Sequence, residues 1–152
     1  MKAAHSGAPN RKGAHAMKYM LIMNSPRDGY TQFMKWPKEI LEANFAFMGA
    51  FSKKLRESGE LVITEGLATP LQAKRVRAGD NGKPITDGVF PESKEFLAGY
   101  YVVDVESPER AEEIAAELST APGGTVIGPD GDPVHHFWIE VREIMGSHKD
   151  IK

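Results

Sequence analysis

Apolar residues recur along this chain at two different periods, and the changes of period divide it into elements. Met17-Lys18-Tyr19-Met20-Leu21-Ile22-Met23 places Tyr19, Leu21 and Met23 on one side of an extended segment and Met20 and Ile22 on the other. A strand apolar on both sides needs cover on both. The turn formers Asn24-Ser25-Pro26-Arg27-Asp28-Gly29 end it. From about Lys38 to Ser58 the period becomes helical: Ile40, Phe47, Phe51 and Leu55 share a stripe, with Met48 beside it. Pro37 suits the first helical turn and Gly59 the position just past the end. Asn44 sits on the same stripe, and an amide there needs a partner, either inside the protein or on a ligand.

Leu61-Val62-Ile63-Thr64 reads as a strand running into Glu65-Gly66-Leu67. Lys74 to Ala78 and Lys83 to Thr86 form the arms of a hairpin around Gly79-Asp80-Asn81-Gly82, expected to project from the main sheet. Phe96 to Val105 is the clearest strand, again apolar on both sides, with Tyr101, Val103 and Val105 alternating with Tyr100 and Val102. Ser107-Pro108 starts a helix whose buried stripe is Ala111, Ile114, Ala115 and Leu118. Thr125 to Ile127 and His135 to Ile144 are the last strands, separated by the loop Gly128 to Pro133. The order strand, helix, strand, hairpin, strand, helix, strand is that of an α+β, ferredoxin-like βαββαβ sandwich with an inserted hairpin. Two helices cover one face of such a sheet. A homodimer packing sheet against sheet would cover the other.

Composition narrows the function classes. The chain has 152 residues, enough for one domain with its own core. It has no cysteine, which excludes disulfides, a Cys nucleophile and Cys-based metal sites, and is compatible with a cytoplasmic setting. A formal net charge of -2 gives no basic field for nucleic acid or anionic lipid. No apolar run is long enough to span a membrane. Residues 1–16 contain no Leu, Ile, Val or Phe and read as a disordered extension before a domain over 17–146, with 147–152 a frayed tail.

The densest chemical signal is Thr86-Asp87-Gly88-Val89-Phe90-Pro91-Glu92-Ser93-Lys94-Glu95. Asp87-Gly88 pairs a side-chain acceptor with a residue free in φ, and Glu92, Lys94 and Glu95 follow as closely spaced charge. Asp87 either caps local backbone N–H groups or works at a cleft mouth. Glu65, at another strand end, is its candidate partner, since two carboxylates in different environments divide acid and base roles. His135 shares a strand side with Phe137, Ile139 and Val141, and is a proton carrier if that side faces a cavity. His136 falls on the other side, so the pair is a poor joint metal ligand, and no metal or cofactor is expected. Arg77, Lys94, Glu95, Asn44 and Tyr100 make up the candidate ligand-binding set.

The stretch from Thr86 to Glu95, followed by Ala98-Gly99-Tyr100-Tyr101, resembles the DGPF branch of the YCII-related proteins. Val89 stands at that motif's proline and Ala98 at the first of its two glycines. Met17 to Leu21, Gly59 to Leu67 and the Arg77 strand extend the resemblance over most of residues 17–128. It implies a ferredoxin-like subunit in a dimeric α+β barrel, an architecture that muconolactone isomerase and antibiotic-biosynthesis monooxygenases share. It also implies a His–Asp pair, its His on the first helix near the position of Met48. This chain has no His between Met17 and Pro133. Two readings follow. One is a cofactor-free isomerase- or lyase-like protein using Asp87 with Glu65 or His135 on a small polar organic ligand. The other is a non-catalytic ligand-binding or regulatory accessory protein, which the resemblance links to alternative sigma factors.

Overall fold

The structure is a computed structural model, and it describes residues 17–88, 92–123, 126–127, 130–131, 133–134 and 136–146. The expected extension, the frayed tail, Val89 to Pro91 and His135 lie outside the described residues.

β1 (Met17–Ser25) and β5 (Phe96–Val105) form the centre of a four-stranded antiparallel sheet. β2 (Leu61–Gly66) flanks β5, and β8 (Ile139–Glu143) flanks β1. The order β2-β5-β1-β8 is the interleaved order of a ferredoxin-like α+β fold. Register sorts the side chains. Tyr19 opposes Val103, Leu21 opposes Tyr101 and Met17 opposes Val105 on one face, while Met20 opposes Val102 and Ile22 opposes Tyr100 on the other.

The first face carries the core. Leu21, Tyr101, Val103 and Val105 are buried against Phe51 and Leu55 of α2 (Lys38–Glu57) and against Ala111, Ile114, Ala115 and Leu118 of α3 (Pro108–Leu118). Both helix stripes are those of the sequence pattern, although Ile40 and Phe47 are only half-buried. α2 ends in a Schellman motif: the Gly59 N–H donates to Arg56 O and the Glu60 N–H to Leu55 O. Ser107 caps α3 by accepting from the Arg110 N–H at 3.1 Å. Pro37 precedes α2 as its cap rather than entering its first turn.

The second face has no helix against it. Ile63 is 44% exposed there, opposite Val102, with Met20, Ile22 and Tyr100 half-buried around it.

Three elements depart from the sequence pattern. A short helix, α1 (Gly29–Met34), follows the turn at Pro26 to Asp28, where turn formers alone were expected. The final strand begins at Ile139 rather than His135. Before it, β6 (Val126–Ile127) and β7 (Pro133–Val134) pair in a small ladder of their own, taking Pro133 out of the expected loop. The inserted hairpin, β3 (Arg75–Ala78) with β4 (Pro84–Asp87), is a separate two-stranded sheet, as its turn chemistry implied. Its reversal is held by Gly79 N–H to Lys83 O and by Lys83 N–H to Asn81 Oδ1.

Candidate functional site

Where β1 and β2 end and β5 begins, α1 and the first half of α2 stand off from the sheet. The space between is a cleft of about 1160 Å³. Met23, Gly99 and Tyr101 form part of its floor, and Asn44 and Met48 enter from α2. Its walls are aromatic. Phe33 and Trp36 pack with ring centroids 5.0 Å apart, and Phe33 meets Phe45 edge-on at 5.9 Å. A Cβ at Gly123 would stand 2.9 Å from Trp36 and 3.2 Å from Phe137, so those two rings converge on this glycine. Trp138 lines the mouth at 95% exposure.

Polar groups are few and tied. The Tyr101 hydroxyl lies 2.9 Å from Ser52 Oγ. The Thr64 hydroxyl donates to Tyr100 O at 3.0 Å. Asn44 Nδ2 donates to Pro122 O at 2.7 Å, so the amide on the helix stripe has an internal partner while still lining the cleft. The charged lining is Arg27, Asp28, Glu65, Lys94, Glu95 and Glu140. Arg27 lies over the Phe96 ring at 5.7 Å, and Asp28 accepts from Gln32 Nε2 at 2.7 Å.

The sequence-based candidates divide between three places. Glu65, Lys94, Glu95 and Asn44 line the cleft. Tyr100 opposes Glu65 in the β2–β5 ladder but is not among the cleft-lining residues. Asp87 and Arg77 are on the projecting hairpin, around a separate hollow of about 380 Å³. The expected juxtaposition of Asp87 with Glu65 is therefore absent. Asp87 Oδ2 instead accepts from Arg75 Nη2 at 3.0 Å, its Oδ1 accepts from the Gly88 N–H at 2.8 Å, and Arg75 Nε donates to Gly88 O. That is the local capping role. Its cause is the pairing of Arg75 opposite Asp87, a cross-strand contact invisible until the hairpin register is known. His136 is exposed and outside β8, so strand alternation does not apply to it. Among the described residues no three His, Cys, Asp or Glu side chains gather as metal ligands would, and no helix is long and apolar enough to cross a membrane.

The aromatic wall was missed by the sequence reading. Its signal was present: Tyr30, Phe33 and Trp36 recur at intervals of three. Met48, where the resemblance places a histidine, lines the cleft with an apolar side chain.

A protein of Rhizobium meliloti (strain 1021), itself uncharacterized, is 33% identical over 86 residues, which is 57% of this chain and 69% of that protein. The family model of the YCII-related domain matches residues 17–127, most of the folded unit built above, and the chain belongs to the YCII-related family.

Proposed function

We propose that the protein binds a small organic molecule in the cleft between α1, α2 and the strand ends, with an apolar body against the aromatic wall and a polar group among the charges at the mouth. The observation that carries this is the combination of about 1160 Å³ of space with the rings of Phe33, Trp36 and Phe137 around it. Binding without turnover is the better-supported form. Met48 occupies the helix position at which the resemblance implies a proton-carrying His, and Asp87 is engaged on the hairpin. Acid–base chemistry would then fall to Glu65.

Both tryptophans of the chain, Trp36 and Trp138, line the cleft and report on it. Nile red, a neutral apolar dye, is expected to bind saturably at one site per chain with energy transfer from tryptophan. Phe33→Ala should weaken it by about tenfold, the order of one lost aromatic contact. Non-saturable binding, or binding that Phe33→Ala leaves unchanged in a folded protein, would overturn the assignment. Asp87→Asn should leave dye affinity unchanged and cost at most about 1 kcal/mol, because its ion pair is exposed.

The open sheet face supports a second element of the reading, a homodimer. Ile63, Val102, Met20, Ile22 and Tyr100 form a continuous apolar surface across three strands. Sedimentation at micromolar concentration should give a dimer, and Ile22→Glu, which buries a charge in that contact, should give a monomer. A wild-type monomer at those concentrations would sink the idea.

A further inference from the structure

We infer that the cleft selects an organic ammonium, a protonated amine carried on an aromatic or alkyl body. The inference rests on the reading of the cleft as a ligand site and adds the charge and hydrogen-bonding class of what enters it.

The first observation is the orientation of Asn44. Pro122 O can only accept, so the amide atom 2.7 Å from it must be the nitrogen. The oxygen is therefore the amide atom left over, and Asn44 Oδ1 has no hydrogen-bond partner among the described residues. A residue lining the cleft thus offers an acceptor that matches a donor on the ligand. A carboxylate or phosphate, which only accept, would meet it unfavourably.

The second observation is the wall itself. Tyr30, Phe33, Trp36, Phe137 and Trp138 surround the space, and aromatic faces attract cations through the ring quadrupole. The third is the balance of charge at the mouth. Asp28, Glu65, Glu95 and Glu140 stand there against Arg27 and Lys94. Arg27 is placed over the Phe96 ring, and Lys94 is exposed. Carboxylates in excess beside low-dielectric walls raise the local concentration of cations. The three observations are independent, and all favour the same ligand class.

The test compares three probes of nearly one shape: phenethylammonium, phenethyl alcohol and phenylacetate, titrated into the intact protein and followed by tryptophan fluorescence. The cation is expected to bind about tenfold more tightly than the alcohol and more tightly still than the anion. Raising the salt concentration should reduce that preference, since the mouth carboxylates are exposed to screening. Glu65→Gln should reduce it about threefold. Asn44→Asp, which keeps the shape but removes the donor to Pro122, tests the acceptor separately and should retain cation binding while losing the alcohol. Equal affinity for all three probes, or preference for phenylacetate, overturns the ammonium inference and leaves the ligand cleft standing. Failure of all three together with failure of Nile red overturns both.

Discussion

Arg110→Leu is expected to lower the stability of the folded chain by about 2–4 kcal/mol. Glu60 follows the glycine that ends α2, and its side chain is only 6% exposed. Arg110, in the first turn of α3, reaches it with two parallel bonds, Nε to Oε2 at 2.8 Å and Nη2 to Oε1 at 2.9 Å. The Ser58 hydroxyl donates to the same carboxylate at 2.9 Å. Removing the guanidinium leaves a carboxylate out of water without its bidentate partner, which for fully buried pairs costs about 3–5 kcal/mol. The lower range applies here because the Arg110 side chain remains 35% exposed and its share is screened by solvent.

The hydrogen bonds to Glu60 raise the Arg110 guanidinium above its usual value, burial opposes this, and Glu113 adds to the rise. A cation whose folded-state value is raised contributes stability that is fully present below its unfolded value and is lost only as pH climbs through the folded one. Both values lie far above neutrality, so the Arg110 contribution is constant through the ordinary pH range. Urea unfolding should show the loss in the single variant and a partial recovery in Glu60→Leu with Arg110→Leu, where no charge is left buried. A single variant as stable as the parent, or a double variant no better than the single, would contradict the account.

Ile114→Ala is expected to cost about 2–5 kcal/mol, or a Tm lower by about 5–15 °C. Ile114 is fully buried, in the cluster where α3 meets Leu21, Val103 and Val105. Deleting its outer carbons opens a cavity that well-packed neighbours cannot fill. The same change on the opposite face of the sheet is a control. Ile63→Ala, at 44% exposure, should cost less than about 1 kcal/mol in the isolated subunit. If two sheets pack face to face, the cost of Ile63→Ala will instead grow with protein concentration, because assembly contributes by mass action. Calorimetry at two concentrations separates these outcomes. Equal losses for Ile114→Ala and Ile63→Ala at high dilution would refute the one-sided core.

How far the sequence carries depends on whether a feature is periodic or brought together from distant parts of the chain. α2, α3 and β5 were legible because each repeats an apolar residue at its own period for ten residues or more. The hairpin was legible because Asn81-Gly82 and its flanking glycine permit little else. α1 was not, since six residues hold less than two turns and the preceding Ser25-Pro26-Arg27-Asp28 reads only as a turn. The start of the last strand was misplaced for a related reason. His135 to Trp138 alternates as a strand would, but strand identity needs a partner, and β1 pairs with this segment only from Ile139 onward.

Elements, their order and the two-sided apolar character of the central strands were thus set by local pattern, which acts through neighbours three or four residues apart or alternate residues. The family signature around Asp87 was equally local. The site was not. Glu65 and Asp87 are both acidic strand ends, and nothing in their spacing distinguishes the one at the cleft from the one on a projecting arm. That was decided by strand pairing: β2 joins the main sheet through β5, whereas β4 pairs only with β3 and holds Asp87 opposite Arg75. The cleft itself, with Phe33, Trp36, Asn44 and Phe137 drawn from four segments, exists only once the helices have packed on the sheet. Its chemistry is a product of contacts between residues far apart in the chain, and so belongs to the tertiary structure alone.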